Sequence, residues 1–96
     1  MAIQSFSDKD TEEFFTTGKI KKGIGWASIR TIAKRKLDML HYAARLEDLK
    51  APPGNRLEAL KGDLESYYSI RINERWRIIF KWKEAGASDV KITDYH

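Results

Sequence analysis

Arginine, lysine, tyrosine and histidine side chains recur at alternate positions in the last third of the chain. Between Ser69 and Lys83 one parity carries almost only polar and basic residues, interrupted by Ile79. A third run, Val90–His96, adds polar side chains of its own and closes on an imidazole. If these runs are strands, one face of the sheet is strongly basic, which is suited to holding a polyanion. The cations of this predicted basic face are Arg71, Arg75, Arg77, Lys81 and Lys91.

The opposite parity of the same runs is apolar and predicts the elements that position this face. Tyr68, Ile70 and Ile72 fall on one side of a first strand, and Trp76, Ile78, Phe80 and Trp82 do the same in the next. We expect Asn73–Arg75 to connect them as a hairpin, and Glu84–Ser88 to form the following hairpin. Ile3–Phe6 and Arg56–Leu60 are further short candidate strands.

Two helices are expected before these strands. Ser7, with Asp10 three residues later, predicts the capping box of a short helix that Thr16-Thr17-Gly18 closes. A longer amphipathic helix is expected from Trp26 to about Arg45, because its apolar residues follow three-and-four spacing. The predicted fold class is α+β, with two helices packed on one face of a mainly antiparallel twisted sheet of four to five strands. We expect residues 1–96 to form a single domain.

Composition narrows the possible partners and chemistry. The 96 residues carry 18 Lys and Arg against 14 Asp and Glu, a net charge of +4. Seven of the cations lie between Lys19 and Lys36 without an intervening acid, a distribution typical of proteins that bind phosphates. There is no cysteine and there are only two His, so no metal site or cofactor is expected. The start lacks a signal-peptide pattern and no stretch reaches transmembrane length, which predicts a cytoplasmic protein without membrane contact.

Three sequence blocks, in their order, resemble one family. The run Pro-Pro-Gly-Asn-Arg-Leu-Glu-Ala-Leu-Lys-Gly-Asp spans Pro52–Asp63, Tyr-Ser-Ile-Arg-Ile-Asn-Glu-Arg-Trp-Arg-Ile spans Tyr68–Ile78, and the chain ends in Asp94-Tyr95-His96. Together they resemble the HigB branch of the RelE/ParE toxin superfamily over nearly the whole chain, and within it the GraT-like subgroup. The chain departs from the HigB pattern at Glu58, where many members have His, and at Asn73, where some have Arg.

The resemblance implies a toxin of a bacterial toxin–antitoxin pair. Toxins of this kind enter the A site of the 30S ribosomal subunit, contact 16S rRNA and cleave mRNA there without a metal ion. A HigA-type antitoxin with a helix-turn-helix domain silences them, so DNA is a partner only indirectly, through the antitoxin. The resemblance carries Asp94, Tyr95 and His96 over as the C-terminal motif. It also carries over Arg77, next to the family's Trp, and Lys61, in its Leu-Lys-Gly-Asp loop.

RNA cleavage through the 2′-hydroxyl needs a base, an acid and cations for the developing charge. His96 could be the acid or the base, and Tyr95 could orient the phosphate or share the proton transfer. Asp94 could orient His96 or relay a proton, and Glu58 could stand in as a base. Arg77 suits a bidentate clamp on the scissile phosphate, with Lys61 and Arg71 as further cations. The expected contacts to ribosomal RNA are Lys19, Lys21, Lys22, Lys34, Arg35 and Lys36.

Two other functions remain compatible with the sequence. A ParE-like inhibitor of DNA gyrase would share the fold and need no acid–base residues. A non-catalytic RNA-binding module would use the same basic face. Simpler interpretations apply to single residues: Lys34-Arg35-Lys36 could be a solvated helix face, Trp76 a core residue and His41 a surface residue. The alternation also puts Asp94 and His96 on the apolar side of their strand, away from Arg77.

Overall fold

A computed structural model describes residues 2–94 of the chain, and Tyr95 and His96 lie outside the described residues. Its four strands form one antiparallel sheet in the order in which they follow along the chain. No helix in the described part of the chain is both long and apolar enough to cross a membrane. The predicted α+β class is confirmed, with α1 Lys9–Thr17, α2 Arg30–Tyr42, β1 Glu58–Ala59, β2 Tyr68–Arg71, β3 Arg77–Lys83 and β4 Gly86–Thr93.

The first helix begins one residue later than its capping pattern predicted. Asp8, not Ser7, is the N-cap, and its carboxylate accepts a hydrogen bond from the backbone N–H of Thr11 at 2.8 Å. An ionised cap stabilises the positive end of the helix dipole more strongly than a hydroxyl does. The predicted end is confirmed, because Gly18 takes a left-handed conformation and donates to the carbonyl of Phe14 at 2.8 Å.

The second helix is shorter than the predicted Trp26–Arg45. A 3₁₀ turn at Ala27–Ile29 precedes it, and Ala43 is extended, so the helix ends at Tyr42. Its core stripe is Ala33, Leu37 and Leu40, which are fully buried and pack with Ile70, Ile78, Phe80, Val90 and Ile92 of the sheet. Because the helix stops early, Ala43 is the buried residue after it and Ala44 is exposed.

The outer edge of β4 is covered by the N-terminal segment rather than by a full strand. The predicted strand Ile3–Phe6 is reduced to one parallel bridge between Phe6 and Val90. Backbone hydrogen bonds from Gln4 to Ala87 at 2.7 Å and from Ser7 to Val90 at 2.9 Å continue the contact. The sheet therefore has four strands, and its β4 edge is protected against pairing with another chain.

Two polar side chains that were predicted to lie on the surface contribute to the fold instead. Lys36 is 7% exposed, and its ammonium donates a hydrogen bond to the amide oxygen of the fully buried Asn55. His41 is half-buried, and its Nδ1 accepts a hydrogen bond from the backbone N–H of Ile3 at 3.2 Å. The ring of His41 also lies 5.2 Å from that of Phe15. Both side chains join segments distant in the sequence, so helical periodicity could not predict their partners.

Candidate active site

The strand register brings polar residues from all four strands to the sheet face opposite the helices. Directly opposed residues in antiparallel strands point to the same face. One row is Glu58, Ser69, Ile79 and Lys91, in which each residue is the partner of the next. The neighbouring row is Arg71, Arg77 and Thr93. These seven residues define what we call the site face.

The site face has a buried floor between charged ends. Ser69 and Ile79, the two middle residues of the first row, are buried with exposed fractions of 2% and 5%. Three inter-strand spacings separate Glu58 at one end from Lys91 at the other, a distance of about 14 Å between backbones. The burial of Ile79 accounts for the one apolar residue in the otherwise polar alternation. Glu58 is exposed and Lys91 half-buried, so the two ends of this row, rather than its middle, are open to solvent.

Four charged side chains of the site face have no counter-ion among residues 2–94. Ion pairs there involve other residues, and none includes Glu58, Arg71, Arg77 or Lys91. Arg71, Arg77 and Lys91 give three positive charges against one carboxylate on the same face. Cations held together without neutralising partners favour binding of an anion from outside the chain.

The β2–β3 connection orients Arg77. Its Nη1 donates hydrogen bonds to the carbonyl of Asn73 and, at 3.2 Å, to that of Trp76. Asn73 also shapes the turn, because its amide oxygen accepts from the backbone N–H groups of Arg75 at 2.9 Å and Trp76 at 2.7 Å. Such a side-chain turn is a known use of asparagine. Asn73 stands where some HigB toxins have arginine. It carries no charge itself, but its backbone carbonyl holds the guanidinium of Arg77 in place.

Arg75 and Asp94 pair with each other rather than with the site face. The Nε of Arg75 donates to a carboxylate oxygen of Asp94 at 2.7 Å, and its guanidinium lies 5.0 Å from the ring of Trp76. Part of the charge of Arg75 is therefore balanced by Asp94, and its predicted contact to RNA stays a prediction. Because Asp94 follows β4 directly, this ion pair attaches the end of that strand to the hairpin. Trp76 is half-buried and packs against the core, in keeping with its simpler interpretation.

The remaining sheet residues divide between the site face and its surroundings. Lys81 lies 3.5 Å from the carboxylate of Asp89 and over the ring of Tyr67 at 5.2 Å, so part of its charge is already balanced. Lys61 is exposed in the loop after β1 and makes no ion pair with the described residues. The predicted catalytic residues Tyr95 and His96 lie outside the described residues.

The cations predicted to contact ribosomal RNA lie in α2 and in the connection after α1, not on the four strands. Lys21 lies 3.7 Å from Asp10, and Lys34 lies 2.7 Å from Asp38. Lys36 is buried, and this burial, followed by the neighbouring charge of Arg35, lowers its pKa. A buried ammonium bonded to Asn55 cannot reach an RNA phosphate, so the prediction for Lys36 is wrong. Lys19, Lys22 and Arg35 are exposed.

The described residues contain no group of three His, Asp or Glu side chains arranged to hold a metal ion. Among the seven residues of the site face, Glu58 is the one carboxylate. The missed structural features are the Asn73 turn and the Lys36–Asn55 bond. The first has a local signal, an asparagine two residues before an arginine in a hairpin; the second has none, because it joins positions far apart in the chain.

Comparison with known proteins agrees with this architecture. Residues 4–96 match the model of the family described as HigB-like toxin, a RelE-like toxin of type II toxin–antitoxin systems. The chain is 41% identical over 87 residues to Toxin HigB-1 of Vibrio cholerae, which covers 91% of this chain and 90% of that protein. It is 31% identical over 94 residues to Endoribonuclease HigB of Proteus vulgaris, covering 98% and 99% of the two chains.

Solved structures share the fold at lower sequence identity. A YoeB/ParE toxin from Agrobacterium tumefaciens superposes with a TM-score of 0.55 at 19% identity, covering 100% of both chains. The YoeB dimer from Staphylococcus aureus gives 0.54 at 19% identity, covering 100% of this chain and 97% of the other. At this identity the likeness concerns the fold, which confirms the RelE-like arrangement of helices and sheet.

Proposed function

The chain belongs to the HigB-like family of RelE-like toxins of type II toxin–antitoxin systems, and we propose that it is a ribosome-dependent endoribonuclease that cleaves mRNA. The observation that carries the proposal is the site face, where Arg71, Arg77 and Lys91 lack counter-ions among residues 2–94. The name of the Proteus vulgaris relative, an endoribonuclease, supports the same activity.

The proposed reaction uses the RNA's own 2′-hydroxyl as the nucleophile. A base removes its proton, the 2′-oxygen forms a bond to phosphorus, and the bond from phosphorus to the 5′-oxygen breaks. An acid protonates the leaving 5′-oxygen, which gives a 2′,3′-cyclic phosphate and a free 5′-hydroxyl. Negative charge accumulates on the phosphate oxygens in the transition state, so fixed cations beside them accelerate the step.

Each residue of the site has a proposed part in this reaction. Arg77, fixed by the hairpin, binds the scissile phosphate through donors other than its Nη1, and Arg71 lies opposite it in the register. Glu58 is the base of the described region, while His96 and Tyr95 supply acid–base and orienting groups from the C-terminus. Asp94 acts as a positioning residue through Arg75, and the remaining proposed cations of the site are Lys61, Lys81 and Lys91.

Mapping mRNA ends in a reconstituted translation system tests the proposal. Addition of the chain should produce new 5′-hydroxyl ends within codons, only when ribosomes are present. A 2′-deoxy substitution at the cleaved nucleotide should abolish cleavage there. DNA breaks without such ends would instead indicate a ParE-like gyrase inhibitor. An intact mRNA on an arrested ribosome would indicate a non-catalytic RNA-binding module.

Metal independence is tested at the scissile phosphate itself. Sulfur in place of one non-bridging oxygen should slow cleavage, because it weakens hydrogen bonds from the arginines. If no metal ion contacts that oxygen, addition of a thiophilic ion such as Mn²⁺ should not restore the rate. Restoration by Mn²⁺ would contradict the metal-independent reaction.

As a toxin of a type II system, the chain has a cognate antitoxin as its partner. We propose that this antitoxin is a HigA-type protein with a helix-turn-helix domain, that the pair reaches DNA only through the antitoxin, and that both work in the cytoplasm. Co-expression with the protein encoded next to the toxin gene tests this. A stable complex that suppresses mRNA cleavage is expected, and an adjacent protein that neither binds nor neutralises the toxin would contradict it.

A further inference from the structure

Arg56 has a backbone conformation that its residue type does not favour. Its φ of 46° and ψ of 56° lie in the left-handed region, at the end of the 3₁₀ turn Pro53–Asn55. Its N–H donates to the carbonyl of Pro53 at 3.1 Å. A residue with a side chain pays a cost there that glycine does not. The turn itself therefore does not require an arginine.

The turn is fixed by buried groups on the residue just before Arg56. Asn55 is fully buried; its amide oxygen accepts from Lys36, and its amide nitrogen donates to the carbonyls of Leu49 at 3.1 Å and Ala51 at 3.3 Å. The Pro53–Asn55 turn also contacts β2. The backbone that leads into Arg56 is thus held against the sheet by contacts on both sides.

The register places this arginine beside the site face. β1 begins two residues later, with Glu58 opposite Ser69. Arg56 precedes Glu58 by two residues and Arg71 follows Ser69 by two, so the turn that ends at Arg56 leads into β1 from the Arg71 end of β2. Arg71 is in turn opposite Arg77. Arg56 is exposed and has no ion pair or side-chain hydrogen bond within residues 2–94.

Three arginines therefore lie at one end of the sheet, Arg56 before β1, Arg71 at the end of β2 and Arg77 at the start of β3, and none has an ion pair within residues 2–94. Two other cations of the hairpin and sheet do have acidic partners, Arg75 with Asp94 and Lys81 with Asp89. Like charges brought onto neighbouring strands repel each other until an anion binds between them. An RNA strand carries such anions at regular intervals, so a line of arginines suits successive phosphates better than a single phosphate.

We infer that Arg56 is an additional phosphate-binding residue, contacting an RNA phosphodiester next to the one held by Arg71 and Arg77. The Lys36–Asn55 bond positions it, which gives the buried lysine a function at the site. The inference rests on the proposed function, because it names a further contact to the same RNA. The phosphate could belong to the mRNA or to ribosomal RNA, and the test separates these sources.

Binding of the full-length chain to ribosomes tests the inference. The ribosomes carry an mRNA whose A-site codon has 2′-O-methyl riboses and cannot be cleaved. Arg56→Gln should weaken binding about 10- to 100-fold, as expected for loss of a charge-assisted hydrogen bond. The slope of log K against log salt should become shallower by about 0.7 for the one lost contact to single-stranded RNA. Lys9→Gln, an equal charge change on α1, is the matched control and should leave both quantities unchanged.

Further variants separate binding from folding and one source of phosphate from the other. Arg56→Gly should weaken binding as Arg56→Gln does without lowering the Tm, since glycine tolerates the left-handed conformation. If Arg56→Gln does not weaken binding to ribosomes that lack mRNA, the phosphate belongs to the mRNA. If it weakens that binding as well, the phosphate belongs to ribosomal RNA. If Arg71→Gln weakens binding while Arg56→Gln behaves like Lys9→Gln, the inference is overturned and the proposed function stands. If the unmodified chain does not bind ribosomes, the proposed function itself fails.

Discussion

Replacing Asn55 by alanine should strongly destabilise the protein. Asn55 is fully buried, accepts a hydrogen bond from the Lys36 ammonium and donates to the carbonyls of Leu49 and Ala51. The substitution removes these three bonds and a weaker contact from the amide nitrogen to the Met39 sulfur at 3.8 Å. It also leaves an ammonium that is only 7% exposed without its acceptor.

The expected loss follows from the kinds of bond removed. Each of the two amide–carbonyl bonds contributes about 1 kcal/mol, and the bond from the charged ammonium about 2 kcal/mol. The free energy of unfolding should therefore fall by about 4 kcal/mol, within the range for removing one partner of a buried charge. A chain of 96 residues has a total stability of about 5–14 kcal/mol. The Tm should consequently fall by about 15 °C or more.

A double-mutant cycle with Lys36→Met isolates the bond between the two side chains. Methionine removes the ammonium and its desolvation cost together, so this change alone should cost only about 1–2 kcal/mol. In the Lys36→Met background, Asn55→Ala should cost about 2 kcal/mol less than in the wild type. Urea unfolding followed by circular dichroism gives all four stabilities. Equal costs of Asn55→Ala in both backgrounds would refute the coupling.

The pH dependence of the same pair provides a second measurement. Burial, with the charge of Arg35, lowers the pKa of Lys36 below its ordinary value of 10.5. Between the lowered pKa and 10.5 the unfolded state binds more protons than the folded state, so the folded state gains stability as the pH rises. Lys36→Met lacks this gain. The stability of the wild type relative to Lys36→Met should increase across this alkaline range, whereas a constant difference would contradict the assigned burial.

Two further substitutions test contacts that support the sheet. Thr11→Val should cost about 1–3 kcal/mol, because the fully buried Thr11 hydroxyl accepts a hydrogen bond from a backbone N–H of β4 at 3.1 Å. The exposed Thr16→Val should change the stability by less than about 0.5 kcal/mol in the same urea titration. Gly25→Ala places a Cβ 2.7 Å from the Trp76 ring and should cost about 1–3 kcal/mol with a changed tryptophan fluorescence spectrum. At Gly54 a Cβ meets nothing within 4 Å, so Gly54→Ala should leave the spectrum unchanged, and equal effects of the two alanines would contradict the Gly25 packing.

The sheet was predictable because its order is local. Alternation within β2 and β3 assigned Ile70 and Ile78 to the core, and the observed pairing puts them opposite each other. The short Asn73–Arg75 connection fixes that pairing, since a tight turn leaves few possible registers. The same reasoning assigned Arg71 and Arg77 to one face, and the structure pairs them directly opposite each other.

The helical layer was less predictable because its polar residues find partners far along the chain. The basic run Lys34-Arg35-Lys36 has the pattern of a solvated helix face. Lys36 is nevertheless buried, and its ammonium is bonded to Asn55 of the turn Pro53–Asn55. Helical periodicity predicts on which side of the helix a residue lies, but it does not show which loop packs against that side. The early end of α2 at Tyr42 was unpredictable for the same reason. Ala43 is extended and buried in the core, and helical periodicity does not show the contacts that bury it.

The position of Lys91 on the site face depends on one irregularity that alternation cannot supply. β4 pairs Ser88 with Lys81 but Lys91 with Ile79, so two residues, Asp89 and Val90, oppose a single residue of β3. Asp89 takes a φ of 50°, and its N–H donates to the Ser5 hydroxyl at 2.9 Å, which holds the bulge open. Without the extra residue, the alternation that starts at Ser88 would send Lys91 into the core and Val90 to the site face. The bulge therefore restores the parity of β4, and the N-terminal segment that supports it takes part in building the site face.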